Sequence, residues 1–368
     1  LYISDPDRDA YQFRYFDPTL FGRNRSFRLK IEERTDGYRH TLAMGQPFYS
    51  LDTRRSLTVG LVNDRRTDRL YTDGEVTQEF DHKNRVAELR FGVSGGLRDG
   101  RVRRLSVGYT FHEDLFEGFP TFAPVAVPES RTLSYPWVEA RWLEDGYLET
   151  ENLDRIGRTE DVNIGAYAGV RLGASLPALG ADRSRAVVHS WFGRGWRPNE
   201  RQLVQMGSTL GGRWGEDGEE NVLASVGLVH YWRNWGLHQL FTGVRFDAGW
   251  EMDDELQFLL GGDTGLRGYR RNFRSGDRRA LVNLEQRFYS DVEIFDLVNV
   301  GAAMFFDAGA AWYAADTGTP EILTNIGVGL RLSSTRSAQG GMVHLDVALP
   351  LNGDSDGIQF LIRSRETF

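Results

Sequence analysis

The chain has 368 residues, of which 40% are hydrophobic, 12% aromatic and 26% charged, and its formal net charge is -8. It contains no Cys, which excludes disulfides, thiolate metal sites and cysteine nucleophiles, and no apolar run approaches the ~20 residues that a membrane-spanning helix needs. No basic tail or lysine cluster indicates a nucleic-acid partner, and we expect none.

Apolar and polar residues alternate with a period of two along the chain, which predicts β-strands. In chain order, the clearest alternating segments lie at about 86–94, 105–111, 162–172, 280–289, 325–332 and 342–349. Their polar faces carry Arg, Glu and Asp in the middle of the strands. A soluble β-sandwich would turn these faces to water, whereas a membrane barrel turns them to a wet lumen and its apolar faces to lipid. Alternation alone fits both architectures.

The number of strands and the lengths of their connections favour the membrane barrel. We predict an all-β, transmembrane antiparallel β-barrel of about 16 strands. The turn LRDG at 97–100 is short, whereas the stretches 114–130, 144–160 and 251–277 are long. We therefore expect short turns on one rim and long loops on the other, with the 251–277 loop extracellular and folded into the lumen.

Aromatic residues cluster near the predicted strand ends, as expected for the interfacial girdles of a barrel. The tryptophans come in pairs at positions 137 and 142, 191 and 196, and 232 and 235. The last strand ends on an aromatic residue, with Phe360, Ile362 and Phe368 in one phase. This ending resembles the targeting signal of bacterial outer-membrane barrels.

The segment 256–313 carries the most informative constellation. Arg267 lies on a glycine-rich loop, and Glu285 and Asp307 lie in the polar faces of two later strands. Two carboxylates that face a lumen need a cation, and an arginine on an inserted loop can bind both with its forked guanidinium. Gly309 would keep the wall open where the loop packs against it.

Four motifs resemble those of the bacterial surface antigen superfamily of outer-membrane assembly and translocation barrels, and their order along the chain agrees with that family. The superfamily includes BamA, TamA and the two-partner secretion transporters. GGDTGLRGY at 261–269 resembles its [V/L]-R-G-[F/Y] loop motif, and FFDAG at 305–309 its F-x-D-x-G strand motif. NLEQRFY at 283–289 resembles its Glu-bearing strand, and 16–61 its opening hairpins. The resemblance covers essentially the whole chain.

The resemblance implies a 16-stranded barrel whose sixth extracellular loop enters the lumen, with the motif arginine contacting the acids of the two following strands. The lumen-loop motif would comprise Asp263, Leu266, Arg267, Gly268 and Tyr269, and its barrel-wall partners Glu285, Phe305, Asp307 and Gly309. We count twelve strands before the loop where the family has eleven, and so expect one early strand to be wrong.

The resemblance also implies a function in the outer membrane of a Gram-negative bacterium, namely the insertion or export of polypeptides. An incoming chain would pair by β-augmentation at a seam between the first strands, from about residue 9, and the last, at about 356–368. We expect outer-membrane lipids, client polypeptides and accessory envelope proteins as partners, and no cofactor or metal.

We expect residues 1–368 to form a single barrel domain with no periplasmic POTRA domain in this chain. The start LYISDPDRDA reads as a mature or truncated end and not as a signal peptide. Two alternatives remain open, a passive porin-like channel and a membrane anchor for an upstream lipase or passenger domain. No G-x-S-x-G elbow occurs, and we expect no enzyme activity.

Overall fold

The computed structural model describes residues 2–4, 8–22, 24–119, 127–153, 155–336, 341–353 and 357–364. The main-sheet strands are β1 Tyr2–Ser4, β2 Asp9–Asp17, β3 Ser26–Arg34, β4 Gly37–Gln46, β5 Arg55–Thr72, β6 Glu75–Ser94, β7 Arg101–Gly118, β8 Arg131–Glu144, β11 Tyr167–Ser175, β12 Arg185–Asn199, β13 Gln202–Gly215, β14 Gly218–Trp235, β15 His238–Trp250, β18 Arg278–Ile294, β19 Val298–Trp312, β20 Leu323–Ser334, β21 Met342–Pro350 and β22 Gln359–Ser364. Two further hairpins pair β9 Tyr147–Glu151 with β10 Thr159–Asn163, and β16 Phe258–Leu260 with β17 Arg274–Gly276. Short 3-10 turns lie at Leu20–Gly22, Pro177–Leu179 and Gly262–Thr264. No helical segment in the described part of the chain is long and apolar enough for a membrane crossing.

The main sheet contains eighteen strands, each antiparallel to its neighbours and ordered along the chain. The predicted all-β antiparallel fold class is confirmed, with eighteen strands instead of about sixteen. Seven strands in β2–β8 and five in β11–β15 precede the 251–277 connection, in addition to the three-residue β1. Among the described residues, the main sheet thus has twelve strands, or thirteen with β1, before this connection, where the resemblance implied eleven.

The two ends of the sheet are not joined by any strand pairing among the described residues. β22 pairs with β21, and β1 pairs with β2. Because β1 covers only Asp9–Tyr11, the rest of β2 pairs on one side alone, with β3. The structure is thus an incompletely closed barrel, with a seam between the β1–β2 edge and β22.

The burial pattern distinguishes a membrane barrel from a soluble sandwich. In β19, Ala303, Phe305 and Asp307 are buried, whereas the intervening Met304 is 58% exposed. In β20, Val328 is likewise 55% exposed. Apolar side chains therefore point out of the sheet and charged ones are enclosed by it, which is the arrangement of a barrel in lipid.

The long connections do not all lie on one rim. We call the rim that carries the 251–277 connection the upper rim, and the other the lower rim. Consecutive antiparallel strands alternate in direction, so the connections before and after β8 lie at its opposite ends. The 119–130 connection is on the upper rim, whereas 145–166, between β8 and β11, is on the lower rim. The predicted placement of 144–160 beside the other long loops is therefore wrong.

The predicted tryptophan girdles hold only in part. Trp232 and Trp235 are both exposed, with a register shift between them. Trp137 and Trp142 are an odd number of residues apart in β8 and therefore face opposite sides of the strand. Trp137 points inward, is buried, and lies under the guanidinium of Arg171 at 4.0 Å from its ring centroid. Trp142, five residues later, lies in the outward phase of the same strand as Val138.

Candidate functional site in the barrel lumen

The 251–277 connection folds back between the strands and packs against their inner face. Leu266 and Tyr269 belong to a buried cluster with Leu281 and Leu323 of the wall. Gly265 has φ +113, a left-handed conformation that glycine adopts at little cost. Its Cβ position is 2.7 Å from Leu281, so the loop backbone also approaches the wall closely here. The cluster fixes the height of the loop in the lumen.

Two glycines predicted for the motif allow this close approach. A Cβ on Gly268 would lie 2.4 Å from the Cβ of Asn325, which leaves no room for a side chain. A Cβ on Gly309 would lie 3.0 Å from the carbonyl oxygen of Ala280 and 3.3 Å from Leu260 of the loop. The loop backbone at Gly268 therefore packs on Asn325 of the wall, and the loop side chain of Leu260 packs on the wall backbone at Gly309.

Arg267 lies in the centre of this contact and reaches both predicted carboxylates. Its Nε donates to Asp307 Oδ2 at 2.9 Å, its Nη2 to Asp307 Oδ1 at 2.8 Å, and its Nη1 to Glu285 Oε2 at 2.6 Å. The guanidinium also lies 3.4 Å from the ring centroid of Phe305. Burial favours the neutral form, but the hydrogen bonds and charge of Asp307, together with Glu285, outweigh it and raise the pKa of Arg267 above its ordinary value. Arg267 is thus a permanently charged clamp between loop and wall.

The clamp is part of a larger charge network that the sequence analysis missed. Glu285 also accepts hydrogen bonds from Arg287 at 2.9 Å and from Arg331 at 2.8 Å. Arg331 continues to Asp346 at 2.6 Å, and Arg363 of the last strand reaches the same carboxylate at 3.2 Å. The network therefore links the inserted loop to the strand at the seam.

Two amides complete the environment of Asp307. Asn283 Nδ2 donates to Oδ1 at 2.7 Å and Asn325 Nδ2 donates to Oδ2 at 2.9 Å. Asp307 therefore has one arginine and two neutral donors, whereas Glu285 has three arginines. The two acids differ in how strongly they depend on Arg267.

A second segment enters the lumen from the lower rim. The β9–β10 hairpin, residues 147–163, carries Leu153 onto the inward-facing Leu203, Tyr231 and Phe241. The carbonyl oxygen of Leu153 accepts a hydrogen bond from Arg287 Nη1 at 2.8 Å. This hairpin therefore touches the charge network from below.

The tip of the hairpin reaches far along the wall from its roots in β8 and β11. Ile156 is buried with Tyr289 and Met342. Asn299 Nδ2 donates to the carbonyl oxygen of Ile156 at 2.9 Å, and Arg158 donates to that of Thr335. Glu285 binds Arg267 with one oxygen and Arg287 with the other, so the upper loop and the lower hairpin share one carboxylate.

The remaining predicted residues lie outside the network. Asp263 is partly exposed and accepts a hydrogen bond from Arg271 at 3.2 Å. Phe360 and Ile362 point outward from β22 and are 79% and 81% exposed. Phe368 lies outside the described residues.

No family model matches the chain. The fold is similar to the crystal structure of BamA from Haemophilus ducreyi lacking POTRA domains 1–3, with a TM-score of 0.53 and 14% identity, covering 97% of this chain and 68% of that one. CdiB from Escherichia coli aligns with a TM-score of 0.44 and 12% identity, over 98% of this chain and 63% of CdiB. By its fold the chain is a BamA-like β-barrel. The barrel architecture that the sequence resemblance implied is confirmed.

Proposed function

We propose that this chain is an outer-membrane barrel of a Gram-negative bacterium that inserts or exports polypeptides at its seam. The observation that carries the proposal is the edge of β22, which pairs with β21 alone among the described residues, opposite a β2 that β1 covers only in part. Free strand edges present backbone donors and acceptors in a row and template the addition of another strand. In this proposal residues 1–368 act as one barrel domain.

The filled lumen supports this proposal over a passive channel. The upper loop and the lower hairpin both pack on the wall, and their contacts meet at Glu285. A porin keeps its lumen open to water. In the proposed mechanism, the clamp of Arg267 holds the loop and the adjacent wall in a fixed state while a client strand pairs at the seam.

Cross-linking tests the proposal. Because the chain has no native Cys, each introduced cysteine is the only thiol in the chain that can react. Single cysteines are placed in the two edges as Phe13→Cys and Ile362→Cys, and in β20, a strand paired on both sides, as Val328→Cys. All three positions are outward-facing and exposed. The full chain in liposomes is mixed with a urea-unfolded eight-stranded outer-membrane barrel carrying one cysteine, and a bismaleimide is added.

We expect client adducts at Phe13→Cys and Ile362→Cys and only background at Val328→Cys, because only the edges offer unpaired backbone. Equal labelling at all three positions, or none at any, contradicts the proposal. Single-channel recording separates the porin-like alternative, which requires a large steady conductance that Arg267→Ala leaves unchanged.

A further inference from the structure

The outward face of the barrel carries an apolar groove near the lower rim, lined in part by Trp142 and Arg103. Strand register places Arg103 beside Trp142, and Trp142 beside Ala168. The next row up contains Leu105, Ala140 and Val170. The outward phase is set by Leu105, which is 55% exposed, while the adjacent Val102 and Ser106 are buried.

A groove forms because small residues lie between large ones in these rows. Ala140 and Ala168 form its floor, and Leu105, Trp142 and Val170 form its walls. Its volume is about 730 Å³, and Arg103 lies at its lower end. The groove is thus apolar above and cationic below, as a phospholipid is apolar at its chains and anionic at its phosphate.

A second groove of about 860 Å³ continues along the lower rim. Its lining includes Arg194 and Trp196, and also the acids Asp99, Glu144 and Asp145, of which Glu144 pairs with Arg101 at 3.8 Å. Neither Arg103 nor Arg194 has an acidic partner among the residues that the structure describes. Indole rings favour the interface between lipid and water, and exposed arginines there attract anionic headgroups.

The upper end of the same outer wall is built differently. Its outward cations are matched by acids on neighbouring strands: Arg65 with Asp81 at 3.0 Å and Arg85 with Glu113 at 3.2 Å. A matched pair needs no external anion. Arg65 and Arg85 are therefore compensated by acids, whereas Arg103, beside the apolar groove, has no ion pair among the described residues.

We propose that this surface is a binding site for an anionic glycerophospholipid of the leaflet at the lower rim. One acyl chain lies over Ala140 and Ala168, and Arg103 binds the phosphate through its forked guanidinium, with Arg194 as the second cation. The site needs only the membrane-embedded fold and is independent of the proposed polypeptide chemistry.

Native mass spectrometry of the detergent-solubilised full chain tests this site. The chain is equilibrated with equal amounts of phosphatidylglycerol and phosphatidylcholine, and the ratio of retained lipids is measured. Wild type is expected to prefer phosphatidylglycerol, and Arg103→Gln and Arg194→Gln are each expected to lower that preference about fivefold. The matched controls, Arg65→Gln and Arg85→Gln made singly, each remove one charge from the upper end and are expected to leave the preference unchanged.

Filling the groove provides a second variant that changes no charge. Ala168→Leu is expected to lower retention of both lipids, because it occupies the acyl-chain position. The proposal is overturned if wild type shows no preference, if the control loses as much as the lower-rim variants, or if Ala168→Leu retains both lipids like wild type.

Discussion

At the scale of single residues, the account depends on a buried cation held by two carboxylates. Removing Arg267 leaves Asp307 with two amide donors and no positive charge within hydrogen-bonding distance. Breaking a buried ion pair by deleting one partner costs about 3–5 kcal/mol, because the other charge remains in a medium of low polarity.

We therefore predict that Arg267→Ala lowers the urea midpoint for unfolding and the heat resistance of the folded band on cold-versus-boiled gels. Arg267→Lys should fall between Ala and wild type, because one ammonium cannot reproduce the forked contacts. Arg271→Ala is the control, since Arg271 is partly exposed and its ion pair with the partly exposed Asp263 lies outside the network. Equal heat resistance in Arg267→Ala and wild type contradicts the clamp.

We expect the carboxylates of Glu285 and Asp307 to contribute unequally to the stability of the barrel. Glu285→Gln removes the charge that Arg267, Arg287 and Arg331 share, whereas Asp307→Asn removes the partner of Arg267 alone. We predict a larger loss of stability for Glu285→Gln, because it removes an ion pair from each of three buried arginines, whereas Asp307→Asn removes one from Arg267 alone. Urea titration of both variants provides the comparison, and a larger loss for Asp307→Asn would be inconsistent with the observed network.

Part of this site could be predicted from the sequence, because the alternation of inward and outward side chains is a local property of each strand. The period of two identified the polar faces that carry Glu285 and Asp307, and also those that carry Arg331 and Asp346. The alternation of side chains does not indicate which inward charges contact each other. Arg331 and Glu285 are 46 positions apart and come together only through the pairing of three strands.

At the scale of elements, the lower hairpin is the feature that the sequence did not predict. The length of this connection is apparent from the sequence. The rim on which it lies depends on the number of strands that precede it, whereas the sequence analysis grouped the long connections by length alone. Its strands β9 and β10 have only five residues each. Their alternation is too short to distinguish a hairpin inserted into the lumen from a loop on the surface.

We predict that this hairpin restricts the lumen from the lower rim. Ile156→Asp should raise single-channel conductance in planar bilayers, because a carboxylate is unfavourable in the buried contact with Tyr289 and Met342. Replacing residues 147–163 with a short Gly-Ser turn should raise it further. Glu149→Gln, on the exposed face of the same hairpin, is the matched control. Unchanged conductance after the hairpin is removed would show that it does not obstruct the lumen.

At the scale of the whole molecule, the composition has a structural reason. The mean hydropathy of -0.44 and the absence of a long apolar run would suit a soluble protein, yet every second strand residue faces an enclosed polar lumen. A barrel crosses lipid in pieces of ~10 residues, so no spanning helix is needed. Within the part of the chain that the structure describes, the eighteen strands, the two inserts and the seam form a filled barrel in which β22 is paired on one side only.

The rate at which a client barrel folds into liposomes tests the central claim most directly. Urea-unfolded client is diluted into phosphatidylcholine liposomes with and without the full chain, and folding is followed by the heat-modifiable shift on gels. The account predicts faster folding with the wild-type chain and a smaller acceleration with Arg267→Ala, at equal amounts of inserted barrel. A client folding rate that is the same with and without the wild-type chain would contradict it.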